Sequence, residues 1–361
     1  MDGNVRILTI GDPHIRTSEV EFTDLMLKEI VDIATREQPD AIVVLGDTLH
    51  TNNNIDANPL SRAVRWLRKL QDIAPLILLI GNHDIKHKEH RIDLQEEPEH
   101  PFVALRWWNN TTVVDKPTLF KVRDHTFLAA PYVPDGQYHE CISSYLTTEV
   151  TAYFSHNAFY GVRYKLNQPP DECGDVWPTT RKLMICGHIH TYQWVSENLV
   201  FVGTPGQQDH GEPQDKGVMI FTFSETSFSH TRIRLVTIPI RRELILSFQQ
   251  TRELQALLAE VKDMNEQAIL HLTKVTLSGA ASQLRVLQKS TLYRELKEQR
   301  GVSLNPTPTD DQVEDAVQET LRRTIDKSSD IPVDDQPFLR SVEGYFRDDP
   351  AILELLKEVN V

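Results

Sequence analysis

Residues 5–14 read VRILTIGDPH, an apolar run of strand length that ends in a glycine, an aspartate and a histidine. The arrangement recurs downstream, where the apolar run 41–45 precedes Gly46-Asp47 and the run 76–80 precedes Gly81-Asn82. Short, continuously apolar strands of this kind are typical of a parallel sheet that is covered on both faces. The three runs therefore predict neighbouring strands of one buried sheet.

Helical patterns connect these strands. Apolar residues recur at helical spacing over 22–34 and again over 60–70. Asn58-Pro59 predicts the start of the second helix, with Asn58 as the N-cap and Pro59 in the first turn. The resulting β-α-β-α-β order predicts a mostly parallel sheet with helices on its outer face.

The second half is richer in strands. Apolar runs of strand length occupy 127–130, 152–155, 183–186, 199–202, 218–223 and 232–238. With few helical patterns between them, these runs predict a second sheet. The expected fold class is therefore α/β, with two facing mixed β-sheets flanked by helices.

A change of composition near Pro239 predicts a domain boundary. We expect a first domain at 1–239, a small α+β domain at 240–305 and an acidic helical tail at 306–361. Within the small domain the patterns predict strands at 241–248, 268–277 and 302–304, and helices at 251–264 and 283–299. The turn-rich stretch 305–309 (NPTPT) predicts a linker, followed by helices at 312–324 and 351–359.

The charge distribution and the cysteines limit the classes of protein to which the chain can belong. The net charge of −14 argues by itself against a nucleic-acid binder, but residues 301–361 alone carry 14 acidic and 6 basic side chains. The three cysteines are widely spaced and fit neither a disulfide framework nor a zinc knuckle. No export signal and no apolar run of membrane-spanning length is found. A reducing cytoplasm is the expected location, in the host cell if the protein is viral.

Five short polar motifs follow apolar runs directly: Gly11-Asp12-Pro13-His14, Gly46-Asp47-Thr48-Leu49-His50, Gly81-Asn82-His83-Asp84, His156 and Gly187-His188-Ile189-His190. Because the carboxyl ends of parallel strands meet at one edge, these motifs are expected to converge. Mixed oxygen and imidazole ligands suit manganese, iron or zinc, and no cysteine lies in any of the five motifs, which argues against a structural zinc site. Asp47, at the end of a central strand, is the natural bridge between two ions.

The ordered set D-x-H, G-D, G-N-H-D, H and G-H-x-H resembles the calcineurin-like metallophosphoesterase superfamily over residues 5–205. The resemblance implies its four-layer sandwich and two divalent metal ions. One ion would be held by Asp12, His14, Asp47 and His190, and the other by Asp47, Asn82, His156 and His188. It also implies that His83 is the unligated acid beside the leaving group, with Asp84 as its orienting partner.

Further features resemble the SbcD-type nuclease branch. His50 stands where those nucleases carry a histidine, and it would help to place the phosphate or the strand. The segment that begins at His156 (HNAFYG), and VGTP at 202–205 followed by DKG at 215–217, resemble recombination nuclease subunits of T-even phages. By order and size, 240–305 matches the capping domain and 306–361 the region that grips an SbcC-like ABC-type ATPase. Pro13 and the short chain suggest a phage or viral version.

This resemblance implies a 3′→5′ exonuclease and single-strand endonuclease that acts on DNA in repair and recombination. Manganese is the expected ion, with magnesium or iron as alternatives. A homodimer is also implied, in which Trp66 serves either the interface or plain core packing. The nearby residues Arg62, Arg65, Arg68 and Lys69 form either a phosphate-binding or a solvated face.

Three other readings share this fold. A phosphodiesterase or phosphatase for a small nucleotide or nucleotide-linked lipid would use the same metal site and leave 240–361 without a role. A scaffold that has lost catalysis, or an accessory subunit of a DNA polymerase, would lack the intact ligand set that this chain retains.

Overall fold

The computed structural model describes residues 3–50, 55–85, 99–165, 168–247, 250–263, 271–299 and 302–308. The chain divides into two compact units, Met1–Ile238 and Pro239–Val361, which are described separately. Among the described residues, no helix is both long enough and apolar enough to cross a bilayer. The predicted tail helices at 312–324 and 351–359 lie outside the described residues.

The first unit is built from two six-stranded sheets. In chain order its strands are β1 (Val5–Ile10), β2 (Ala41–Val44), β3 (Leu76–Leu79), β4 (Thr111–Val114), β5 (Thr118–Val122), β6 (His125–Ala130), β7 (Ala152–Ser155), β8 (Leu183–Cys186), β9 (Gln193–Ser196), β10 (Leu199–Phe201), β11 (Gly217–Phe223) and β12 (Phe228–Arg234). The first sheet has the order β12-β11-β1-β2-β3-β4, and the second has the order β5-β6-β7-β8-β10-β9. Both are mixed: β1 to β4 pair in parallel, as do β6, β7, β8 and β10, while antiparallel strands complete each sheet. The predicted α/β fold of two facing mixed sheets flanked by helices is confirmed.

The two sheets face each other across one apolar core. Ile7 and Val43 from the first sheet belong to the same buried cluster as Phe127, Phe154 and Ile185 from the second. Burial of this apolar area is the main stabilising contribution that holds the sheets together. The strands β2, β3, β7 and β8 are buried along their whole length, and the polar motifs begin directly after them.

Two helices, α1 (Val20–Glu37) and α2 (Ala57–Ile73), pack against each other in the layer outside the first sheet. The predicted cap of α2 was wrong by two residues: Asp56 is the N-cap, and its carboxylate accepts a hydrogen bond from the amide of Asn58 at 2.8 Å. Pro59 lies in the first turn, as predicted. The one-turn helix α3 (Tyr138–Cys141) and its neighbour Trp177 belong to a second buried cluster on the second sheet.

The last strand of the first unit was misplaced. Its predicted bounds were 232–238, whereas β12 spans Phe228–Arg234. The reason is the hairpin register, in which Phe223 pairs with Phe228 across a short polar turn. Since β12 is an edge strand, most of its side chains are exposed, and it lacks the apolar pattern by which strands are recognised.

The second unit is a three-stranded parallel sheet packed against helices. Its elements are β13 (Ile240–Ser247), α4 (Thr251–Asp263), β14 (His271–Gly279), α5 (Ala281–Lys289), α6 (Thr291–Glu298) and β15 (Val302–Pro308), with strand order β13-β14-β15. Leu246, Leu254, Val275 and Leu284 belong to its separate core.

Two predictions for this unit were wrong. The single helix expected at 283–299 is divided at Ser290, which follows α5 and caps α6 by accepting a hydrogen bond from the amide of Tyr293 at 3.2 Å. The linker expected at 305–309 is largely strand, because β15 continues to Pro308. Proline is tolerated there because β15 is an edge strand, where an amide directed away from the sheet is not needed.

Candidate active site

The predicted ligands lie just beyond the carboxyl ends of strands from both sheets. Asp12, Asp47 and Asn82 follow β1, β2 and β3, and His156 and His188 follow β7 and β8. Short contacts between these residues, given below, show that all five motifs converge at one rim of the sandwich, as the sequence predicted.

The first group contains His14, His190 and Asp47. The Nε2 atoms of His14 and His190 lie 3.0 Å apart, and His14 Nε2 lies 3.7 Å from Asp47 Oδ2. Two nitrogens bound to one ion at about 2.1 Å would have a similar separation. His14 is buried, so its ligand atoms are held away from bulk water.

The second group contains Asn82, His156 and His188. Asn82 Oδ1 lies 3.1 Å from His156 Nε2 and 2.8 Å from His188 Nδ1. Asp47 Oδ2, which also faces the first group, lies 3.3 Å from His156 Nε2. The carboxylate of Asp47 is thus within reach of both groups, in the position that was predicted for a bridging ligand.

The backbone ties neighbouring motifs together. The amide of His83 donates to Asp47 Oδ1 at 2.7 Å, and the amide of His188 donates to Asp12 Oδ1 at 3.0 Å. Gly46 has a φ of +107°, and a Cβ added there would lie 2.6 Å from His156 Nδ1. Glycine is therefore required at position 46 for both its backbone conformation and the space it leaves for the histidine.

The residues present fit divalent ions. Among the described residues, Asp12 Oδ2 is buried without a hydrogen-bond partner, which is costly unless another group binds it. The donor set of carboxylates, one amide oxygen and imidazoles matches the preferences of first-row divalent metals. Three side chains, Asp47, His156 and His188, offer ligand atoms that lie within 4.8 Å of one another.

Burial sets the charge of these side chains. It lowers the pKa of His188 to about 3, and it lowers the pKa of His14 as well. His156 is different: burial opposes its charge, but the carboxylates of Asp47 and Asp12 raise its pKa to about 9. Burial likewise opposes ionisation of Asp47, yet His156 and His14 bring its pKa well below the usual value. These shifts favour the charged forms of Asp47 and His156 and the neutral forms of His14 and His188.

The three predicted catalytic residues lie beside the first group. The ring centroids of His14 and His83 are 4.9 Å apart, and those of His14 and His50 are 5.4 Å apart. His83 Nδ1 lies 2.6 Å from the carbonyl oxygen of His50. Nδ1 is thereby held as the donor, and Nε2 remains for a substrate. His50 is half-buried, and burial lowers its pKa to about 4.

The predicted contact between Asp84 and His83 is corrected by the structure. The carboxylate of Asp84 accepts hydrogen bonds from the amides of Leu49 and Gly81 at 3.0 Å, and from that of Thr48 at 3.2 Å. Among the described residues, the ring of His83 contacts the carbonyl of His50 rather than the carboxylate of Asp84. Asp84 thus fixes the loops that carry the histidines, because a buried carboxylate takes up available amide donors.

Sequence reasoning missed two residues. Glu212 Oε1 lies 2.7 Å from His190 Nδ1, and Lys216 Nζ lies 2.7 Å from Glu212 Oε2. Glu212 follows no strand, so the strand-end rule that revealed the other residues gave no signal for it. Lys216 was noticed only as part of a family-like stretch.

The geometry of two sheets with a metal-ligating rim defines a metallophosphoesterase. The family model for calcineurin-like phosphoesterases matches residues 5–192. The chain belongs to this family.

Relatives of the chain occur in invertebrate iridescent viruses. It is 28% identical over 302 residues to protein 078R of Invertebrate iridescent virus 3, covering 82% of this chain and 83% of that protein. It is 30% identical over 225 residues to protein 244L of Invertebrate iridescent virus 6, covering 62% and 77%. Both relatives carry the provisional name phosphoesterase. The prediction of a viral type thus agrees with these relatives.

Similarity to solved structures is weaker. A structure titled as GAP50, the anchor in the inner membrane complex of Plasmodium, matches at 12% identity with a TM-score of 0.39, covering 64% of this chain and 84% of that chain. The YfcE phosphoesterase of E. coli matches at 10% identity with a TM-score of 0.30, covering 63% and 100%. Scores of this size add nothing to the assignment.

Proposed function

We propose that this phosphoesterase is a two-metal DNA nuclease with 3′→5′ exonuclease and single-strand endonuclease activity. The observation that carries the proposal is His50, whose ring stacks beside His83 with centroids 5.8 Å apart. His50 adds a third imidazole next to His14 and His83, and it stands at the sequence position where SbcD-type nucleases carry a histidine. Manganese is the proposed ion, and repair and recombination are the proposed setting.

The roles of the residues follow from their contacts. Asp12, His14, Asp47 and His190 would hold one ion, and Asp47, Asn82, His156 and His188 the other. Bound ions of this kind acidify water and neutralise charge that builds on phosphate oxygens. His83, with its Nδ1–H held by the carbonyl of His50, would in its doubly protonated form present Nε2–H to the departing sugar oxygen, give that proton to it and become neutral.

His50 is assigned to the substrate phosphate. Its Nδ1 is buried and has no hydrogen-bond partner among the described residues. His14, His50 and His83 offer nitrogen atoms that lie within 4.8 Å of one another, so the assignment of His50 to the DNA strand rather than to an ion rests on the resemblance.

The substrate can be tested directly. Purified chain with manganese would be incubated with end-labelled single- and double-stranded DNA and with small phosphodiesters. We expect DNA cleavage that is lost in Asp47→Ala and retained in Asp72→Ala, a control on an exposed surface of α2. Hydrolysis confined to small diesters would replace the nuclease with a small-molecule phosphodiesterase.

The proposed partners are DNA, a second copy of the chain and an SbcC-like ATPase that binds 306–361. Trp66 is 3% exposed, which supports core packing over a role in a dimer interface. Arg62 pairs with Asp24 and Asn58 on the surface, so this part of the basic face is already engaged. Light scattering would give the oligomeric state, and co-purification with and without 306–361 would test the ATPase. A cytoplasmic location is likewise proposed.

A further inference from the structure

A buried ion pair stands directly behind one of the predicted metal ligands. Glu212 Oε1 lies 2.7 Å from His190 Nδ1, on the side of the ring opposite to Nε2. The Nε2 atom of His190 lies 3.0 Å from His14 Nε2. The imidazole of His190 therefore contacts Glu212 through one nitrogen and faces the predicted metal ligands with the other. The side chain of Glu212 is 13% exposed.

Lys216 completes the arrangement from a second direction. Its ammonium group lies 2.7 Å from Glu212 Oε2 and donates to the carbonyl oxygen of His190 at 2.9 Å. It also donates to Thr204 Oγ1 at 2.7 Å, and its side chain is 3% exposed. All three donors of the ammonium group thereby have acceptors, as a buried lysine requires.

The pair holds both the ring and the main chain of His190. A carboxylate that accepts the Nδ1 proton leaves the lone pair on Nε2, which is the atom that a metal ion needs. The same contact orients the ring and makes Nε2 a stronger donor. The amide of Gln208 donates to Glu212 Oε2 at 2.9 Å and prevents the carboxylate from turning away.

We infer that Glu212 is a positioning residue for the ion held by Asp12, His14, Asp47 and His190, and that Lys216 fixes Glu212 in place. The inference rests on the metal site of the proposed function and is independent of the choice of DNA as substrate. Glu212 touches neither the reacting atoms nor the second group. Removal of Glu212 is therefore expected to weaken the binding of one ion only. The ion near Asn82, His156 and His188 should bind as before.

Metal binding measures this role without an activity assay. Calorimetric titration of the full chain with manganese gives the number of ions and their dissociation constants. In Glu212→Ala we expect one ion to bind about 10- to 100-fold more weakly, as for other partners behind metal-bound histidines. Glu212→Asp, which keeps the charge, restores part of the affinity, and Glu225→Ala, at an exposed turn, is the matched control.

A purely structural role predicts a different result. If Glu212 only holds its own loop, the alanine variant melts at a lower temperature while both ions bind as in the wild type, and the inference is overturned. Should that variant fail to fold, Glu212→Gln is titrated with manganese in its place, because its side chain retains an oxygen for the amide of Gln208. Wild-type chain that binds no ion overturns the metal site as well, whereas two ions without DNA cleavage refute only the nuclease.

Discussion

His14 Nε2 and His190 Nε2 lie 3.0 Å apart, although 176 residues separate them in the chain. Burial lowers the pKa of His14, so its ring stays neutral at physiological pH. A neutral imidazole has one nitrogen lone pair in the ring plane, and Nε2 of His190 faces the same point as that of His14. The contact therefore identifies where an ion would bind between two distant segments.

Divalent ions are expected to stabilise the folded chain. An ion that binds only the folded state at 100 times its dissociation constant adds about 2.7 kcal/mol. Thermal melts in manganese and in a chelator should therefore differ by several degrees, since about 1 kcal/mol moves the midpoint of a domain of this size by 2–4 °C. His14→Ala should reduce the difference. Equal melting temperatures in manganese and chelator would contradict the ion site.

Gly46→Ala is expected to damage both stability and catalysis. The added methyl would lie 2.6 Å from His156 Nδ1, at a residue whose φ is +107°. Gly136→Ala is the matched control, because Gly136 also has a positive φ of +78° but no atom within 4 Å of the added methyl.

The control should lose only the backbone contribution of about 1–2 kcal/mol. Urea denaturation would show a larger loss for Gly46→Ala, together with a fall in phosphodiesterase rate that Gly136→Ala does not share. Equal losses in the two variants would mean that the contact with His156 is unimportant.

His83→Ala should slow the reaction while both ions remain bound. A general acid contributes typically 10²- to 10⁴-fold to rate, and the resemblance places His83 outside the two sets of metal ligands. The measurement is the turnover of a small phosphodiester together with the number of manganese ions bound. His230→Ala, an exposed histidine on β12, serves as the control. A variant at position 83 that keeps both its ions and its full rate would exclude the acid role.

Glu29 is expected to stabilise the first unit from outside the active site. Its carboxylate accepts hydrogen bonds from the amides of Val236 and Thr237 at 2.7 and 2.9 Å, and from Thr237 Oγ1 at 2.6 Å. Glu29→Ala should lower the free energy of unfolding by about 1–3 kcal/mol, the usual effect of losing a charged acceptor. Urea denaturation measures this, and Asp32→Ala on the exposed side of α1 provides the comparison. Equal stability of the two variants would show that the contact is not stabilising.

The strands that could be predicted were the well-buried ones, whether or not a ligand follows them. β1, β2 and β3 are short and fully or almost fully buried, so an apolar run closed by a glycine revealed them. Three strands were not predicted, namely β4, β5 and β9. They are only partly buried and have polar residues among the apolar ones. A strand at or near a sheet edge needs no continuous apolar pattern, because one side of it faces solvent.

Residues of the candidate site could be predicted where they directly follow a strand. The prediction failed for residues that act from loops. Asp12, Asp47 and Asn82 belong to the first kind, while Glu212 lies in a loop between β10 and β11. The partner of His83 also could not be foreseen. It is a main-chain carbonyl, which every residue has, so the sequence gives no signal for this contact.

Asp47 has a φ of +47°, a left-handed conformation that is uncommon outside glycine and that asparagine, aspartate and histidine adopt more often than other side chains. His14 and His188 share this feature, with φ values of 46° and 72°. The side chains that can bind an ion here are thus also among those that tolerate these turns, and a β-branched residue at any of the three positions should strain the backbone as well as remove a donor atom.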